Sequence, residues 1–301
     1  MMQITQTPTL TKAQTAAAKA LIKATQAVDG THRDPYLEND LNFDQTMPAF
    51  FLAEAVGQPI GLLTLYADDA PGPGGVVDVS IHVLPEYRRQ GVATALWQAA
   101  RKVLQTAGYQ KCEYATEAAF LTSHPQFLEQ TQLVKDPASE IGLIAPAGSG
   151  KATDDVLTVA PLTSSDIETL LPLYMEAFAD ESGTDEDQAR RYLEVARTDP
   201  AVASFVCHYQ GQPIGYCAVD LDDYDYFYGL FIAKDYRNQG VGSRFIQLMM
   251  GQLSATRHKD FRLDVDSDNL AAYHVYRKAG FKPLTESFYL SAPTGRWALR
   301  D

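Results

Sequence analysis

Cysteine, long hydrophobic runs and positive charge are all scarce in this sequence. Its 301 residues include three cysteines, Cys112, Cys207 and Cys217, whose odd number is typical of a reducing compartment and whose spacing does not suit a metal site. Cys207 and Cys217 flank a predicted turn. We interpret them as small buried strand residues, with a facing pair as the alternative. No apolar run nears the length that crosses a bilayer, and residues 1–10 lack the pattern of a secretion signal. We therefore expect a cytoplasmic protein that holds no metal and does not enter a membrane.

The charge balance is strongly acidic, with a net charge of −13 at pH 7 and a pI of about 4.9. This balance argues against a nucleic-acid partner, because such proteins need a basic surface to neutralise phosphates. If the protein binds a polyanion, it must use local groups, such as backbone amides and a few arginines, against its overall field.

An internal repeat divides the chain into two copies. The run GQPIG at residues 57–61 recurs at residues 211–215, and YRRQGVAT at residues 87–94 recurs as YRNQGVGS at residues 236–243. The length of the chain and its 46% of hydrophobic residues also suit two domains. We predict domains over residues 1–147 and 154–301, joined by the small-residue stretch 145–153, which is typical of a linker.

Hydrophobic periodicity and turn residues predict the same order of elements in both copies. Each copy starts with a strand and a helix. The helix begins with a capping-box pattern, Thr11 with Gln14 in the first copy and Ser165 with Glu168 in the second. A hairpin, a strand leading into the repeated Arg/Gly segment, a long helix, a strand, a further helix and terminal strands follow. Strands outnumber helices and their directions are mixed, so we predict an α/β or α+β fold.

The predicted linker contains Gly148-Ser149-Gly150-Lys151, which is similar to part of a nucleotide-binding P-loop. Ala145 replaces the first glycine of that motif, and Ala152 replaces the Ser or Thr that would hold magnesium. We therefore predict no nucleotide site at this position.

The segment Arg237-x-x-Gly240-x-Gly242 lies between a predicted strand and a predicted helix. A glycine-rich turn lets the backbone approach an anion, and the start of the following helix adds a partial positive charge. The first copy has Arg88-x-x-Gly91-x-Ala93 in the same context. Each segment alone could be a plain strand-to-helix turn, but the repetition favours a site for a diphosphate.

These two segments resemble the phosphate-binding loop of the GNAT superfamily of acyl-CoA-dependent N-acyltransferases. In the second copy the resemblance extends to Asn269-x-x-Ala272-x-x-x-Tyr276-x-x-x-Gly280-Phe281, which looks like the next motif of the family. The resemblance covers both halves. It implies two tandem domains, each with a mixed, mostly antiparallel central sheet flanked by helices, as in mycothiol synthase. It also implies that acetyl-CoA is bound as the acyl donor.

The resemblance further implies roles for individual residues. The loop amides bind the CoA pyrophosphate, the preceding strand pairs with pantetheine, and Tyr276 is the catalytic residue near the CoA sulfur. The implied cofactor-binding residues are Leu230, Phe231, Ile232, Arg237, Asn238, Gln239, Gly240, Val241, Gly242, Ser243 and Asn269. The possible second cofactor site in the first copy comprises Ile81, His82, Val83, Arg88, Arg89, Gln90, Gly91, Val92, Ala93 and Thr94.

The residues around Tyr276 can also be interpreted without the resemblance. Their spacing predicts a helix that Ser267 or Asp268 caps and that ends at Gly280. On this reading Tyr276 is a half-buried aromatic of that helix.

The first copy has lost the second motif. It has Phe127 at the position equivalent to Tyr276 and Phe120 at the position of Asn269, and Pro125 interrupts the helix expected there. Phenylalanine has no proton to give. We therefore predict that the first domain is catalytically degenerate and that the second is active.

Transfer to an amine needs a base, because a primary amine with a pKa of about 10.4 is protonated at neutral pH. The family often has Glu on the strand before the loop, whereas this chain has Tyr226, Phe227 and Tyr228 there. Our hypothesis is that Asp225, with Tyr226 and Tyr228, forms the substrate or proton path. The alternative is an acidic surface loop.

We expect an enzyme, a GNAT-type N-acetyltransferase that moves an acetyl group from acetyl-CoA to a primary amine on a small cationic molecule. The acidic and aromatic residues 220–228 would attract and hold such a cation. The alternatives are a non-catalytic acyl-CoA sensor and an N-acetyltransferase of proteins or peptides. The sequence does not distinguish a monomer from a dimer.

Overall fold

The computed structural model describes residues 2–178 and 185–292. They form two compact units. Unit 1 comprises the residues up to Glu140 together with those from Thr285 onward, and unit 2 comprises Ile141–Leu284. In each unit helices pack against a mixed, mostly antiparallel sheet, which confirms the predicted fold class.

The strands are numbered in chain order. They are β1 (Gln3–Thr7), β2 (Phe50–Ala55), β3 (Gln58–Tyr66), β4 (Val76–Val83), β5 (Lys111–Glu117), β6 (Val134–Ala145), β7 (Leu157–Pro161), β8 (Val202–Tyr209), β9 (Gln212–Leu221), β10 (Asp225–Ile232), β11 (Phe261–Asp266) and β12 (Lys282–Ser291).

The α-helices follow the same convention. They are α1 (Lys12–Asp29), α2 (Val92–Ala107), α3 (Ala118–Ser123), α4 (Phe127–Thr131), α5 (Ile167–Ala177), α6 (Glu186–Thr198), α7 (Val241–Ser254) and α8 (Leu270–Ala279). Short 3-10 helices at Pro85–Tyr87 and Lys234–Tyr236 precede α2 and α7.

The sheet of unit 1 has the order β1-β2-β3-β4-β5-β12. Strands β4 and β5 run parallel, and the other neighbours run antiparallel. Residues Ser287 to Ser291 of β12 pair with β5, so a strand that follows the second copy in the sequence completes the first unit. Alternate residues of β2 point to opposite faces: Leu52 packs under α1, whereas Phe51 packs under α2.

The sheet of unit 2 has the order β6-β11-β10-β9-β8-β7. Strands β10 and β11 run parallel. The pairs β10/β9, β9/β8 and β8/β7 are antiparallel. Helices α5 and α6 cover one face through residues such as Leu170 and Leu193. Helices α7 and α8 cover the other face, where Phe245 and Phe281 are buried.

The two predicted capping boxes have different outcomes. At α1 the backbone N–H of Gln14 donates to Thr11 Oγ1 at 3.3 Å and the Thr11 N–H donates to Gln14 Oε1 at 2.9 Å, so that box is confirmed. At α5 the box is wrong, because the helix begins one residue later, with Asp166 as its cap. The carboxylate of Glu168 instead forms an ion pair with Arg190.

The cysteines are buried and free. On the paired strands β8 and β9, Cys207 lies opposite Gly215 and Cys217 lies opposite Phe205. The interpretation of Cys207 and Cys217 as small buried strand residues is therefore confirmed. The alternative, in which the two cysteines face each other on paired strands, is wrong. Among the described residues, no helix is both long and apolar enough to cross a membrane.

The segment between β6 and β7, which contains the P-loop-like residues, packs closely on α7. The N–H of Lys151 donates to the carbonyl of Gln247 at 2.7 Å. A Cβ atom at Gly251 would lie only 2.0 Å from the carbonyl oxygen of Lys151. Because Gly251 has no side chain, this segment can pack directly on α7. A flexible linker would not need such a contact.

Candidate active site

In unit 2, β10 diverges from its parallel neighbour. The two strands pair only at Asp225 with Phe261 and at Tyr226 with Arg262. On its other side β10 remains paired with β9 as far as Ile232, with a register shift between Tyr228 and Phe231. Beyond Tyr226, the edge of β10 that faces β11 therefore has backbone groups open to an extended ligand.

The repeated Arg/Gly segment connects the end of β10 to α7. Asn238 and Gly240 both have positive φ, 60° and 76°, which turns the chain sharply. The side chain of Arg237 holds the turn, because its Nε donates to the carbonyl oxygen of Ile232 at 2.7 Å. No side chain caps α7, so its first backbone amides are available to an anion at the positive end of the helix dipole.

A lysine that the sequence analysis missed lies beside this loop. The Nζ atom of Lys278, on α8, would be 3.5 Å from a Cβ at Gly240, so the ammonium group lies against the turn. It adds positive charge where the helix dipole also favours an anion. Only the packing of α8 beside α7 reveals this proximity, because the two residues are far apart in the sequence.

The loop of unit 1 has the same local geometry. Arg89 and Gly91 have φ values of 60° and 82°, Arg88 Nε donates to the carbonyl oxygen of Val83 at 2.9 Å, and α2 has no side-chain cap. The surroundings differ in one respect. The guanidinium of Arg88 also binds both carboxylate oxygens of Asp29, at 2.7 and 2.8 Å.

Tyr276 lies in the hydrophobic core of unit 2, with 9% of its surface exposed. Its ring packs near that of Phe281, with centroids 6.4 Å apart. Burial is the main cause that raises the pKa of its hydroxyl, and nearby Cys217 contributes. The hydroxyl therefore keeps its proton at neutral pH.

Asn269 is the N-cap of α8, since its Oδ1 accepts from the N–H of Ala272 at 3.1 Å. The prediction that Ser267 or Asp268 caps this helix is therefore wrong, whereas the predicted end at Gly280 is confirmed. The implied contact of Asn269 with the cofactor stays a prediction.

The residues of the hypothetical proton path do not converge on one point. Asp225 is fully buried at the end of β10 that is paired with β11, and its Oδ1 accepts from Arg257 Nε at 2.8 Å. Burial raises the pKa of its carboxyl, and Arg257 opposes the shift. The hydroxyl of Tyr226 donates to Asp264 at 2.9 Å, while Tyr228 lies next to the register shift in β10.

Unit 1 contains a cavity of about 970 Å³. Most residues of the possible second cofactor site line it, and Gln90 is the exception, since its side chain donates to the carbonyl oxygen of Glu86 at 2.7 Å. The lining members are Ile81, His82, Val83, Arg88, Arg89, Gly91, Val92, Ala93 and Thr94.

A strand that leads into an uncapped helix through an Arg/Gly turn thus occurs in both units. The profile of the acetyltransferase (GNAT) family matches residues 16–127 and 167–281. The chain belongs to this family. Unit 1 and unit 2 each carry one of the matched regions, so the resemblance inferred from the loops and the tandem arrangement are confirmed.

Solved structures of GNAT proteins are similar along the whole chain. A GCN5-related N-acetyltransferase from Sphaerobacter thermophilus is 17% identical, with a TM-score of 0.72, over 99% of this chain and 98% of that chain. A tandem GNAT protein from the clavulanic acid biosynthesis pathway is 14% identical, with a TM-score of 0.67, over 99% and 100%.

A third similar structure is a GCN5-related glucosamine N-acetyltransferase region of a fungal multi-domain enzyme. It is 12% identical, with a TM-score of 0.62, and the match covers 97% of this chain and 38% of that chain. No curated protein sequence matches the chain significantly. At these identities the similar structures support the fold of this GNAT protein and leave its acceptor open.

Proposed function

We propose that this GNAT protein transfers the acetyl group of acetyl-CoA to a primary amine on a small cationic molecule. The observation that carries the proposal is the junction of β10 and α7, where an open strand edge leads directly to uncapped helix amides. An extended thioester with a diphosphate at one end needs both features side by side. The glucosamine N-acetyltransferase region among the similar structures is consistent with a small amine acceptor.

Unit 2 would hold acetyl-CoA as follows. The amides of Val241, Gly242 and Ser243 would bind the pyrophosphate, framed by Arg237, Asn238 and Gln239. The backbone of residues 230–232 would pair with pantetheine. At the register shift next to Tyr228, strand amides that β9 does not occupy would polarise the thioester carbonyl.

Tyr276 would stabilise the thiolate as it leaves. Even with an ordinary pKa of about 10, protonating a thiolate of pKa about 8.5 would be uphill by about 2 kcal/mol. Because burial raises the pKa of Tyr276 further, full proton transfer is still less favourable. We therefore propose that the hydroxyl acts by donating a hydrogen bond to the developing charge.

A single assay tests the proposed function. The protein would be incubated with acetyl-CoA and a panel of small primary amines or a lysine-containing peptide, and release of free thiol would be followed. We expect release with small amines. Release with the peptide alone would favour a protein acetyltransferase, and binding of acetyl-CoA without any release would favour a sensor.

Lys278 provides a test of the phosphate site. Replacing it by Ala should weaken acetyl-CoA binding about fivefold, since one exposed charge contributes about 1 kcal/mol. The loss should shrink at high salt, because salt screens exposed charges. Titration calorimetry at low and high ionic strength measures both effects, and an affinity that the substitution leaves unchanged at low salt would place the anion elsewhere.

Asp225 provides a test of the proton path. Its ion pair with Arg257, at the paired end of β10, suits a residue that holds the strand in place. We therefore expect Asp225→Asn to lower the melting temperature, because Arg257 loses the negative charge of its ion-pair partner, and to leave the shape of the pH–rate profile unchanged. Loss of the ascending limb of that profile in Asp225→Asn would instead support Asp225 as the base.

A further inference from the structure

One wall of the unit 1 cavity is a row of polar side chains on β4. Asp78, Ser80 and His82 alternate along the strand and therefore point to the same face. All three line the cavity, together with the stacked rings of Tyr36 and Tyr66, whose centroids are 4.4 Å apart.

A chain of hydrogen bonds runs from Thr25 through His82 to Ser80. The hydroxyl of Thr25 donates its only proton to the carbonyl oxygen of Ile22 at 2.8 Å. We therefore assign the Thr25 oxygen as the acceptor of a proton from Nδ1 of His82, which lies 3.0 Å away. Burial lowers the pKa of His82 to about 4, so the imidazole is neutral at physiological pH and its Nε2 is an acceptor.

Ser80 completes the chain. Its Oγ lies 3.1 Å from Nε2 of His82, and with the tautomer assigned above the Ser80 hydroxyl donates to that nitrogen. The Ser80 oxygen therefore presents lone pairs, and no proton, to a molecule in the cavity.

Among the carboxylates that line the cavity, Asp78 is the one to which no described residue donates a hydrogen bond, although Arg33 acts on it electrostatically. Asp29 binds Arg88 with both oxygens, and Glu117 accepts from the backbone amides of His32 and Arg33 at 2.7 and 2.8 Å. Asp34, the remaining carboxylate of the lining, accepts from Gln26 Nε2 at 2.8 Å. No residue that the structure describes donates a hydrogen bond to Asp78.

A lone carboxylate beside an oxygen without a free proton attracts a positively charged N–H donor. Side chains two residues apart on one strand face are roughly 7 Å apart, which leaves room for one ligand atom hydrogen-bonded to both. We propose that the unit 1 cavity binds a small primary ammonium compound, with its –NH3+ group held between the carboxylate of Asp78 and the hydroxyl oxygen of Ser80. The nearby rings of Tyr36 and Tyr66 suit the same charge.

This site gives the first copy a role that does not need a counterpart of Tyr276. The binding itself is independent of the proposed function. Acetyl-CoA is proposed to bind in unit 2, so the ammonium compound in the unit 1 cavity is a ligand additional to the acetyl acceptor.

Titration calorimetry without CoA tests the binding. The probes are putrescine, n-butylamine and glucosamine, with 1,4-butanediol as a neutral control and tetramethylammonium as a cation without N–H groups. We expect at least one primary amine to bind and both controls to bind at least tenfold more weakly. Asp78→Asn should weaken amine binding about tenfold or more and Ser80→Ala about fivefold. The exposed Asp69, outside the cavity, supplies the matched control Asp69→Asn, which should change nothing.

The pH dependence of amine binding tests the same site in the wild-type protein. This test therefore remains valid even if a variant folds poorly. Burial raises the pKa of Asp78 to about 6, and Arg33 opposes the shift. The affinity for the amine should therefore fall about tenfold between about pH 8 and about pH 5, as Asp78 becomes protonated while His82 stays neutral. Asp78→Asn should abolish this dependence. The other acidic groups that act on Asp78 are Asp68, Glu113 and Glu140.

Absence of binding by all three amines, or binding that Asp78→Asn leaves unchanged, would overturn the site. Thiol release, measured after acetyl-CoA is added to the same protein preparations and amines, separates this inference from the proposed function. Thiol release by the enzyme, without any amine binding that depends on Asp78, would overturn the site and leave the proposed function standing. If amine binding depends on Asp78 but no amine causes thiol release, the proposed function is overturned and the binding site in unit 1 is supported.

Discussion

Replacing Tyr276 by Phe should lower kcat for acetyl transfer by a factor on the order of 10² to 10⁴. The buried hydroxyl is the group proposed to donate a hydrogen bond to the leaving thiolate, and Phe keeps the ring while removing that donor. Because the interaction arises mainly as charge develops on sulfur, affinity for acetyl-CoA should change little. Steady-state kinetics and calorimetry on the same sample measure the two quantities.

Tyr273 offers a matched control on the same helix. It is partly buried one turn before Tyr276, so Tyr273→Phe removes a hydroxyl from a similar setting. We expect this variant to keep wild-type kcat. A Tyr276→Phe protein that folds and turns over at the wild-type rate would contradict the proposed role of Tyr276.

Replacing Gly251 by Ala should destabilise the protein by about 2 to 3 kcal/mol, although Ala is the better helix former by about 1 kcal/mol. The added Cβ would lie 2.0 Å from the carbonyl oxygen of Lys151. The approach is also close from the other side, since a Cβ placed at Gly150 would lie 2.3 Å from the amide nitrogen of Gly251. These contacts involve backbone on both sides, so relief requires the segment before β7 to move off α7. Chemical denaturation followed by circular dichroism measures the change in free energy of unfolding.

Gly74 provides the control for that experiment. A Cβ at Gly74 meets nothing within 4 Å, and its φ lies outside the region that favours glycine. Gly74→Ala should therefore be neutral or slightly stabilising. If Gly251→Ala were also neutral, the segment around Lys151 would behave as the flexible linker that its composition predicts.

Local sequence patterns predicted the start or end of a helix correctly where residues close in sequence form the contacts that determine it. Thr11 and Gln14 satisfy each other's backbone within one turn, and Gly280 ends α8 in a left-handed conformation. The box predicted at Ser165 is absent: Glu168 pairs with Arg190, on a different helix, and Asp166 occupies the N-cap position without a side-chain cap hydrogen bond. Pattern alone also could not choose Asn269 over its two neighbours as the cap of α8.

The two copies show how little a shared motif says about its surroundings. Their loops have the same φ value, 60°, at Arg89 and Asn238, although these two residues differ, because the residues on either side follow the same Arg/Gly pattern. Yet Arg88 is engaged by Asp29, from the end of α1, and a cavity lies beside that loop. In the sequence the first copy differs most visibly by its missing tyrosine, and the pattern marks His82 only as a possible cofactor contact.

The sequence by itself determined the repeat, the two Arg/Gly turns and the family, since these depend on residue type and spacing along one strand and one helix. Only the tertiary structure decided that β12 completes unit 1, that Lys278 lies beside Gly240 and that no residue in the described part of the chain donates a hydrogen bond to Asp78. Each of these depends on groups that are distant along the chain and close in space. Hydrogen bonding and charge act over a few ångströms in space, and no local pattern encodes which distant partner fills that space.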